Sequence, residues 1–409
     1  MRIRPFFLFL FLAQLASGTL AAQDSTAVRS AATLINTIQK KYAPDKRTAI
    51  FKASFNADDP ALIELETTDS GAASELAVKL KESGLPFRVD QEILPSQQLE
   101  GKIFGVANLS VCNNRTSPDH AAEMATQMLL GTPVDVLKKE RGYYQVRTPD
   151  RYISYIDGAG VTLMDEAAFN EWKAAPKVIY TADYGYSFQE PTEKSMRVSD
   201  LVAGDLLKLV GKEKGFYKVG YPDGRTAFIP VKSAADFRTW ASRPNPTAEQ
   251  ILETAKTMVG VPYLWGGTSV KGVDCSGFTK TSYFLNGIIL PRDASQQALV
   301  GEQVDIFEAD TVNLDKALKN LRAGDLLFFA AGKVRAASKP RVTHTAIYIG
   351  DGIFIQAAGL VRINSMKPES DRYDDFQART IVGARRMLTA IGQPEVVRVD
   401  HHKYYQSQK

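Results

Sequence analysis

Residues 261–278 read Val-Pro-Tyr-Leu-Trp-Gly-Gly-Thr-Ser-Val-Lys-Gly-Val-Asp-Cys-Ser-Gly-Phe, and they set a single cysteine, Cys275, between a glycine-rich loop and a helix start. Gly266, Gly267 and Gly272 permit tight turns and a close approach of backbone. Beyond the cysteine, Phe278, Tyr283, Phe284 and Leu285 fall on one helical face, which Gly287 ends. A thiol in the first turn of a helix meets unpaired N–H groups and the positive end of the dipole, both of which favour a thiolate. A lone cysteine is by default a small core residue. The glycine loop around Cys275 favours a nucleophile instead.

The remaining composition narrows the classes. At 409 residues the chain exceeds one ordinary core, so two to four domains are expected. A net charge of +4, spread along the chain, gives no footprint for nucleic acid. Two cysteines, Cys112 and Cys275, make no disulfide framework. No Cys-x-x-Cys or His-x-x-x-His spacing occurs, which argues against zinc, and no metal or cofactor is expected. Arg2 and Arg4 precede an apolar run from Phe6, followed by small residues to Ala22. This pattern predicts a signal peptide over residues 1–22 and export to the periplasm or the medium. The run is shorter than the ~20 residues that span a bilayer, so no membrane span is expected.

In chain order, residues 27–100 read as a small α/β unit without recognisable chemistry. Helices are expected over 31–42 and 72–82, and strands over 48–55, 61–67 and 87–94. Two segments then echo each other. Tyr143-Tyr-Gln-Val-Arg-Thr-Pro-Asp-Arg-Tyr-Ile-Ser-Tyr-Ile is matched by Phe216-Tyr-Lys-Val-Gly-Tyr-Pro-Asp-Gly-Arg-Thr-Ala-Phe-Ile, and each precedes a Phe-x-x-Trp tail at Phe169 and Phe237. Short strands and Pro/Gly/Asp turns repeated every ~70 residues predict a pair of small β-barrels. They resemble the bacterial SH3 fold. Pro244-Asn-Pro246 reads as a linker, with Thr247 as N-cap of a helix over 248–258.

The sequence has four histidines. His401 and His402 fall in a polar tail expected to be solvated, and His120 falls in a turn. His344 remains as partner for Cys275. It opens Val342-Thr-His-Thr-Ala-Ile-Tyr-Ile349, a β-branched strand, which turns at Gly350-Asp-Gly352 into the return strand Ile353–Ala358. That register sets Gln356 across from Ala346 and diagonal to His344, roughly 7–8 Å away on the same face. Gln356 is therefore a candidate orienter: nucleophile, base and orienter together form a triad. The alternative is a solvated strand residue.

The glycine loop with Asp274-Cys-Ser-Gly-Phe, then Leu290-Pro-Arg-Asp-Ala-Ser-Gln-Gln, Gly324-Asp-Leu-Leu-Phe-Phe and the His344 hairpin, resembles the catalytic domain of NlpC/P60 cysteine peptidases over residues 247–387. The region upstream resembles the subset with tandem SH3 domains. The resemblance implies an α+β chain with a papain-like catalytic domain, the Cys275 helix packed on a small antiparallel sheet. Two SH3-like barrels and the α/β unit precede it. The boundaries expected are 1–22, 23–103, 104–175, 176–244, 245–390 and a tail, 391–409. The family more often carries histidine where this chain has Gln356, and a neutral amide orients without carrying charge.

The resemblance also implies substrate contacts at Tyr263, Asp274, Ser276 and Ser295, and, from the first barrel, Glu123 and Tyr155, with Tyr152 as the alternative tyrosine. Asp274 and Glu123 would hold the free L-Ala amine by charge-assisted bonds. Outside the family, Glu123 reads as a solvated acid. The activity implied is cleavage of murein stem peptides between γ-D-glutamate and the L-diamino acid, by a monomer. Two other classes remain: an amidase or acyltransferase using the same dyad, and a wall-binding protein with a degenerate catalytic domain.

Overall fold

The computed structural model describes residues 10–406. The leader expected over 1–22 falls, for residues 1–9, outside the described residues. The chain forms two units, Met1–Gln97 and Gln98–Lys409.

In the first unit, α1 (Leu10–Tyr42) leads to β1 (Phe51–Phe55), β2 (Leu62–Thr67), α2 (Ser70–Glu82) and β3 (Arg88–Ile93). β1 and β2 are antiparallel, β2 and β3 parallel, so α2 is the crossover. Asp69 caps α2 by accepting from Ala72 N. Leu76 and Leu80 of α2, Ile38 of α1, and Ile63 and Leu65 of β2 form a closed core. The expected α/β unit is present, with α1 longer at its start than its apolar periodicity indicated.

In the second unit, β4 (Phe104–Ala107), β5 (Val111–Arg115), β6 (Met124–Leu129), β7 (Pro133–Glu140), β8 (Tyr143–Arg147), β9 (Ile153–Asp157) and β10 (Val161–Met164) make one antiparallel sheet in the order 10-4-7-8-9-5-6. After α3 (Glu166–Ala174), a second sheet follows: β11 (Lys177–Tyr180), β12 (Tyr184–Phe188), β13 (Arg197–Val202), β14 (Leu206–Glu213), β15 (Phe216–Gly220), β16 (Thr226–Pro230) and β17 (Ala234–Asp236). Its order, 17-11-14-15-16-12-13, is the same path strand for strand. The bulges repeat as well. One falls at Asn114/Arg115 and again at Ser187/Phe188, another at Val136–Lys138 and again at Leu209–Gly211. A bulge costs ladder bonds and persists where the curvature requires it. Its recurrence at the same offset marks a true structural repeat.

After α4 (Phe237–Ala241), α5 (Ala248–Thr257) opens on a capping box between Thr247 and Gln250, at the residue its sequence indicated. α6 (Cys275–Phe284) and α7 (Ala294–Gln297) follow. The last sheet contains β18 (Leu326–Phe329), β19 (His344–Gly350), β20 (Ile353–Ala358), β21 (Leu360–Ser365) and β22 (Ile381–Arg386), all antiparallel. Alternation divides its core into two layers. Leu326, Phe328, Ile347 and Ile355 face Phe278 and Tyr283 of α6 and Ile251 of α5. Leu327, Phe329, Ala346 and Phe354 face the other way, onto Ala317 and Ile381. Helix on sheet, with helices and strands segregated, is the α+β arrangement expected.

The expectation for the tail is corrected. Residues 391–406 do not lie loose in solvent. Val397 and Arg398 pair with Ile289 and Ile288, Val399 is fully buried, and Tyr404 packs with Phe169 and Trp172 beside the first sheet. Tyr405 meets Phe237 and Trp240, and His402 Nε2 lies 3.1 Å from the Pro149 carbonyl. His401 is exposed, as expected. The polar composition concealed two tyrosines whose ring area outweighs the cost of ordering their charged neighbours. Among the described residues, no helix is long and apolar enough to cross a membrane.

Candidate active site

Cys275 is the first residue of α6, and Asp274 is its N-cap, accepting from Gly277 N at 2.6 Å. Gly277 is required there, since a Cβ would fall 1.9 Å from the Gly267 carbonyl oxygen. The glycine loop is thereby pressed onto the first turn of the helix. Gly266, at φ +78°, brings the same loop against the backbone of Met124 in β6. Loop, helix start and first sheet meet at one place.

The helix brings Cys275 Sγ to 4.0 Å from the Thr343 carbonyl, at the start of the His344 strand. The thiol is buried and free. Burial pushes its pKa up to about 12, and the Asp274 charge adds to this, while the N–H groups of Thr345 and Ser276 and the Arg292 cation oppose it. The resting nucleophile is therefore a neutral thiol, despite its helix-terminal position. His344 Nε2 lies 2.6 Å from Gln356 Oε1. The pairing Ile347↔Ile355 puts Gln356 opposite Ala346, the register derived from the turn. Burial lowers the His344 pKa and the Gln356 bond raises it, so the ring is neutral at neutral pH.

The Gln356 amide is itself held, since its Nε2 donates to Asn364 Oδ1 at 2.9 Å. That leaves Gln356 Oε1 as an acceptor toward His344, whose Nε2 then carries the proton and whose Nδ1 is free to accept one. Asn364 was not found from the sequence. Its position on β21, opposite Phe354 and so diagonal to Gln356, is the signal that would have found it.

Arg292 was missed as well. It is fully buried, with Nη2 2.6 Å and Nη1 3.2 Å from the Asp274 carboxylate, Nη1 3.1 Å from Ser276 Oγ, and Nε 2.8 Å from Thr126 Oγ1 of β6. Asp274 also accepts from Gly266 N and Gly277 N. The carboxylate expected to hold a substrate ammonium is thus already engaged within the protein. Its charge is matched by Arg292 and its lone pairs face donors of the protein. Ser276 shares its hydroxyl with the same pair.

The other candidates fall as follows. Tyr263 is half-buried beside the site. Burial, then the charges of Cys275 and Asp274, raise its pKa, so the phenol remains a donor. Ser295 is half-buried on α7. Glu123, just before β6, accepts from the indole N–H of the exposed Trp265 at 2.6 Å, and among the described residues no cation pairs with it. The two candidate tyrosines of the first sheet differ in partner. The Tyr155 hydroxyl bonds Glu140 within the first sheet, while that of Tyr152 reaches Asp293 at 3.2 Å, next to Arg292. Cys112 is buried in β5 with its thiol 3.2 Å from the Gly160 carbonyl, and burial pushes its pKa up to about 12. Gln127 of β6 bonds Thr268 of the glycine loop, and the Lys280–Asp150 pair joins α6 to the turn between β8 and β9.

Residues 260–381, which contain Cys275, His344 and Gln356, match the NlpC/P60 family, and residues 114–161 match the bacterial dipeptidyl-peptidase SH3 domain. A γ-D-glutamyl-L-lysine dipeptidyl-peptidase of Bacillus cereus is 32% identical over 280 residues, 66% of this chain and 77% of the relative. The chain belongs to the NlpC/P60 family. It is a cysteine peptidase. Dipeptidyl-peptidase 6 of Lysinibacillus sphaericus is 29% identical, and the match covers 69% of this chain and 96% of that protein. The crystal structure of a Bacillus cereus NlpC/P60 family protein superimposes with a TM-score of 0.58 at 26% identity, covering 70% of this chain and 99% of that one.

Proposed function

We propose that this NlpC/P60 peptidase hydrolyses the bond between γ-D-glutamate and the L-diamino acid of murein stem peptides with a free N-terminal L-Ala. Cys275 Sγ attacks the γ-carbonyl carbon. His344 Nδ1 takes the thiol proton and passes it to the leaving amine, giving a thioester that water hydrolyses with His344 again as base. The N–H of Cys275 and the Tyr263 hydroxyl stabilise the oxyanion. Gln356 keeps His344 in the tautomer that this requires. Glu123, which pairs with no cation among the described residues, takes the L-Ala ammonium, and Tyr152, Ser276 and Ser295 contact the peptide. Both seven-stranded sheets are read as SH3-like barrels over 104–175 and 176–244, the catalytic domain as 245–390, and the protein as an exported monomer.

What supports this reading is the approach of the Cys275 thiol to the Thr343 carbonyl, one residue before His344 and its Gln356 partner, together with the Trp265–Glu123 bond between the glycine loop and the first sheet. The names of the relatives supply the class of bond. The test is mass spectrometry of L-Ala-γ-D-Glu-diaminopimelate beside the same peptide acetylated on its amine. Cleavage of the first with strong discrimination against the second is expected, and discrimination should collapse in Glu123→Ala. Equal rates on both peptides would leave Glu123 a surface acid. No cleavage of either would favour an amidase, an acyltransferase or a wall-binding role.

A further inference from the structure

The loop between β18 and β19, residues 331–343, carries Lys333, Arg335, Lys339 and Arg341 and no acid. Among the described residues no carboxylate pairs with any of the four, and all but the half-buried Arg335 are exposed. Charge runs on a surface are usually solvated and interspersed with the opposite sign. This run is neither interspersed nor remote. It leaves β18 after Phe329, which pairs with His344 across the sheet, and it re-enters the fold at Val342, which packs on the main core. Its last carbonyl, that of Thr343, is the one 4.0 Å from Cys275 Sγ. Arg341 stands three residues before His344, at most about 11 Å along an extended chain.

The chemistry of a Cys–His hydrolase decides which part of a substrate meets this loop. The base that protonates the departing amine must lie within hydrogen-bond reach of it. The leaving peptide therefore lies on the His344 side, and the acyl part lies toward Glu123 and Trp265 of the glycine loop and first sheet. Next to His344 the Arg362–Asp374 pair, 3.4 Å apart, is neutral in sum. Among the described residues, the unpaired charge that adjoins this side of the site along the chain is that of loop 331–343, whose last carbonyl approaches Cys275.

We infer that loop 331–343 is the leaving-group subsite and that its cations select an anionic leaving peptide, one whose diamino acid carries a side-chain carboxylate, such as meso-diaminopimelate, over lysine. The inference rests on the peptidase reading above and adds to it the identity of the diamino acid. The side-chain ammonium of lysine would meet a field of its own sign. In meso-diaminopimelate a carboxylate accompanies that ammonium and gives the cations a partner. The contacts are exposed, so each contributes modestly and two together select by about 3–30-fold, less at high salt.

The test uses the full chain and four tripeptides: L-Ala-γ-D-Glu followed by meso-diaminopimelate or by L-Lys, each as the free acid and as the C-terminal amide. The expected result is a higher kcat/KM for diaminopimelate than for lysine in both forms. The acid-to-amide ratio reports separately whether the C-terminal carboxylate is also held. In the double variant Lys339→Glu/Arg341→Glu the diaminopimelate preference should invert. A circular dichroism melt and the rate on the lysine amide show whether that variant remains folded and active. Equal rates on diaminopimelate and lysine peptides in the parent protein, both cleaved, would overturn the subsite and leave the peptidase reading standing. Cleavage of none of the four would overturn the peptidase reading itself.

Discussion

Arg292 Nη2 stands 2.6 Å from Asp274 Oδ2, with the arginine side chain 1% and the aspartate side chain 10% exposed. The pair ties the cap of the nucleophile helix to Thr126 of the first sheet. Removing one partner from such a pair leaves a buried charge without its counter-ion, which costs about 3–5 kcal/mol. Arg292→Met should lower the urea midpoint by a corresponding amount. Arg292→Lys, which keeps the charge and loses the planar fork, should fall between. A loss below about 1 kcal/mol in Arg292→Met would show that water reaches Asp274.

Cys275→Ala is expected to abolish hydrolysis with an unchanged circular dichroism spectrum, and Cys112→Ser to leave it intact. The two thiols are alike in burial and in their raised pKa. They differ in place, one at a helix start, 4.0 Å from the carbonyl of the residue before His344, and one packed in β5. Turnover by a folded Cys275→Ala protein would refute the nucleophile.

The His344–Gln356–Asn364 chain predicts a graded loss. Gln356→Ala removes orientation and keeps the base, so turnover should fall by ~10–1,000-fold, and Gln356→His should restore much of it. Asn364→Leu leaves Gln356 free to turn its amide and present a donor to His344. It should lower kcat by less than Gln356→Ala, with KM little changed. An Asn364→Leu enzyme as impaired as Gln356→Ala would mean that Asn364 acts on the site by another route.

The pH dependence follows from the same chain. Burial holds His344 below its ordinary value of 6.5, and it must be neutral to accept the thiol proton. The acid limb of kcat/KM should therefore lie below pH 6.5. The Gln356 bond raises the His344 pKa, so its loss in Gln356→Ala should move that limb to still lower pH even as the plateau drops. A limb moving upward would contradict the assigned direction.

Tyr404 tests the tail. It is buried against Phe169 and Trp172, and Tyr404→Ala should cost about 3–5 kcal/mol, as other large aromatic truncations do. A change within ~0.5 kcal/mol, the range of an ordinary surface position, would make the tail dispensable.

What was legible in the sequence was local. The Cys275 helix start, the Thr247 cap and the register that sets Gln356 beside His344 each depend on a few adjacent residues. The repeat was legible because both copies keep the same turns. Arg292 was not, because Asp274 and Thr126, the groups that give it meaning, come from other parts of the chain. Tyr152 and Tyr155 could not be told apart by residue type, since what separates them is that Tyr152 precedes β9 and reaches Asp293, the cap of α7, whereas Tyr155 lies within β9 and bonds Glu140. The tail misled because charge dominates its composition, whereas its fate was set by Tyr404, Tyr405 and Val399.

The two like sheets have parted in what they do for the site. With the offset of 73 residues that aligns their bulges, Gln127 of β6 corresponds to Asp200 of β13 and Glu123 to Met196. Gln127 bonds the backbone of Thr268, and Asp200 grips Lys271 a few residues further along the same catalytic loop. The same strand of each copy thus braces one loop. Only one copy keeps a carboxylate at the end of that strand, while the other shows a thioether, 70% exposed. Duplication supplied two struts, and on the proposed reading one of them also meets the substrate amine. The second copy can drift in surface chemistry without touching the amine end of the substrate, so, of the two copies, the first is where variants that alter recognition of that end should gather.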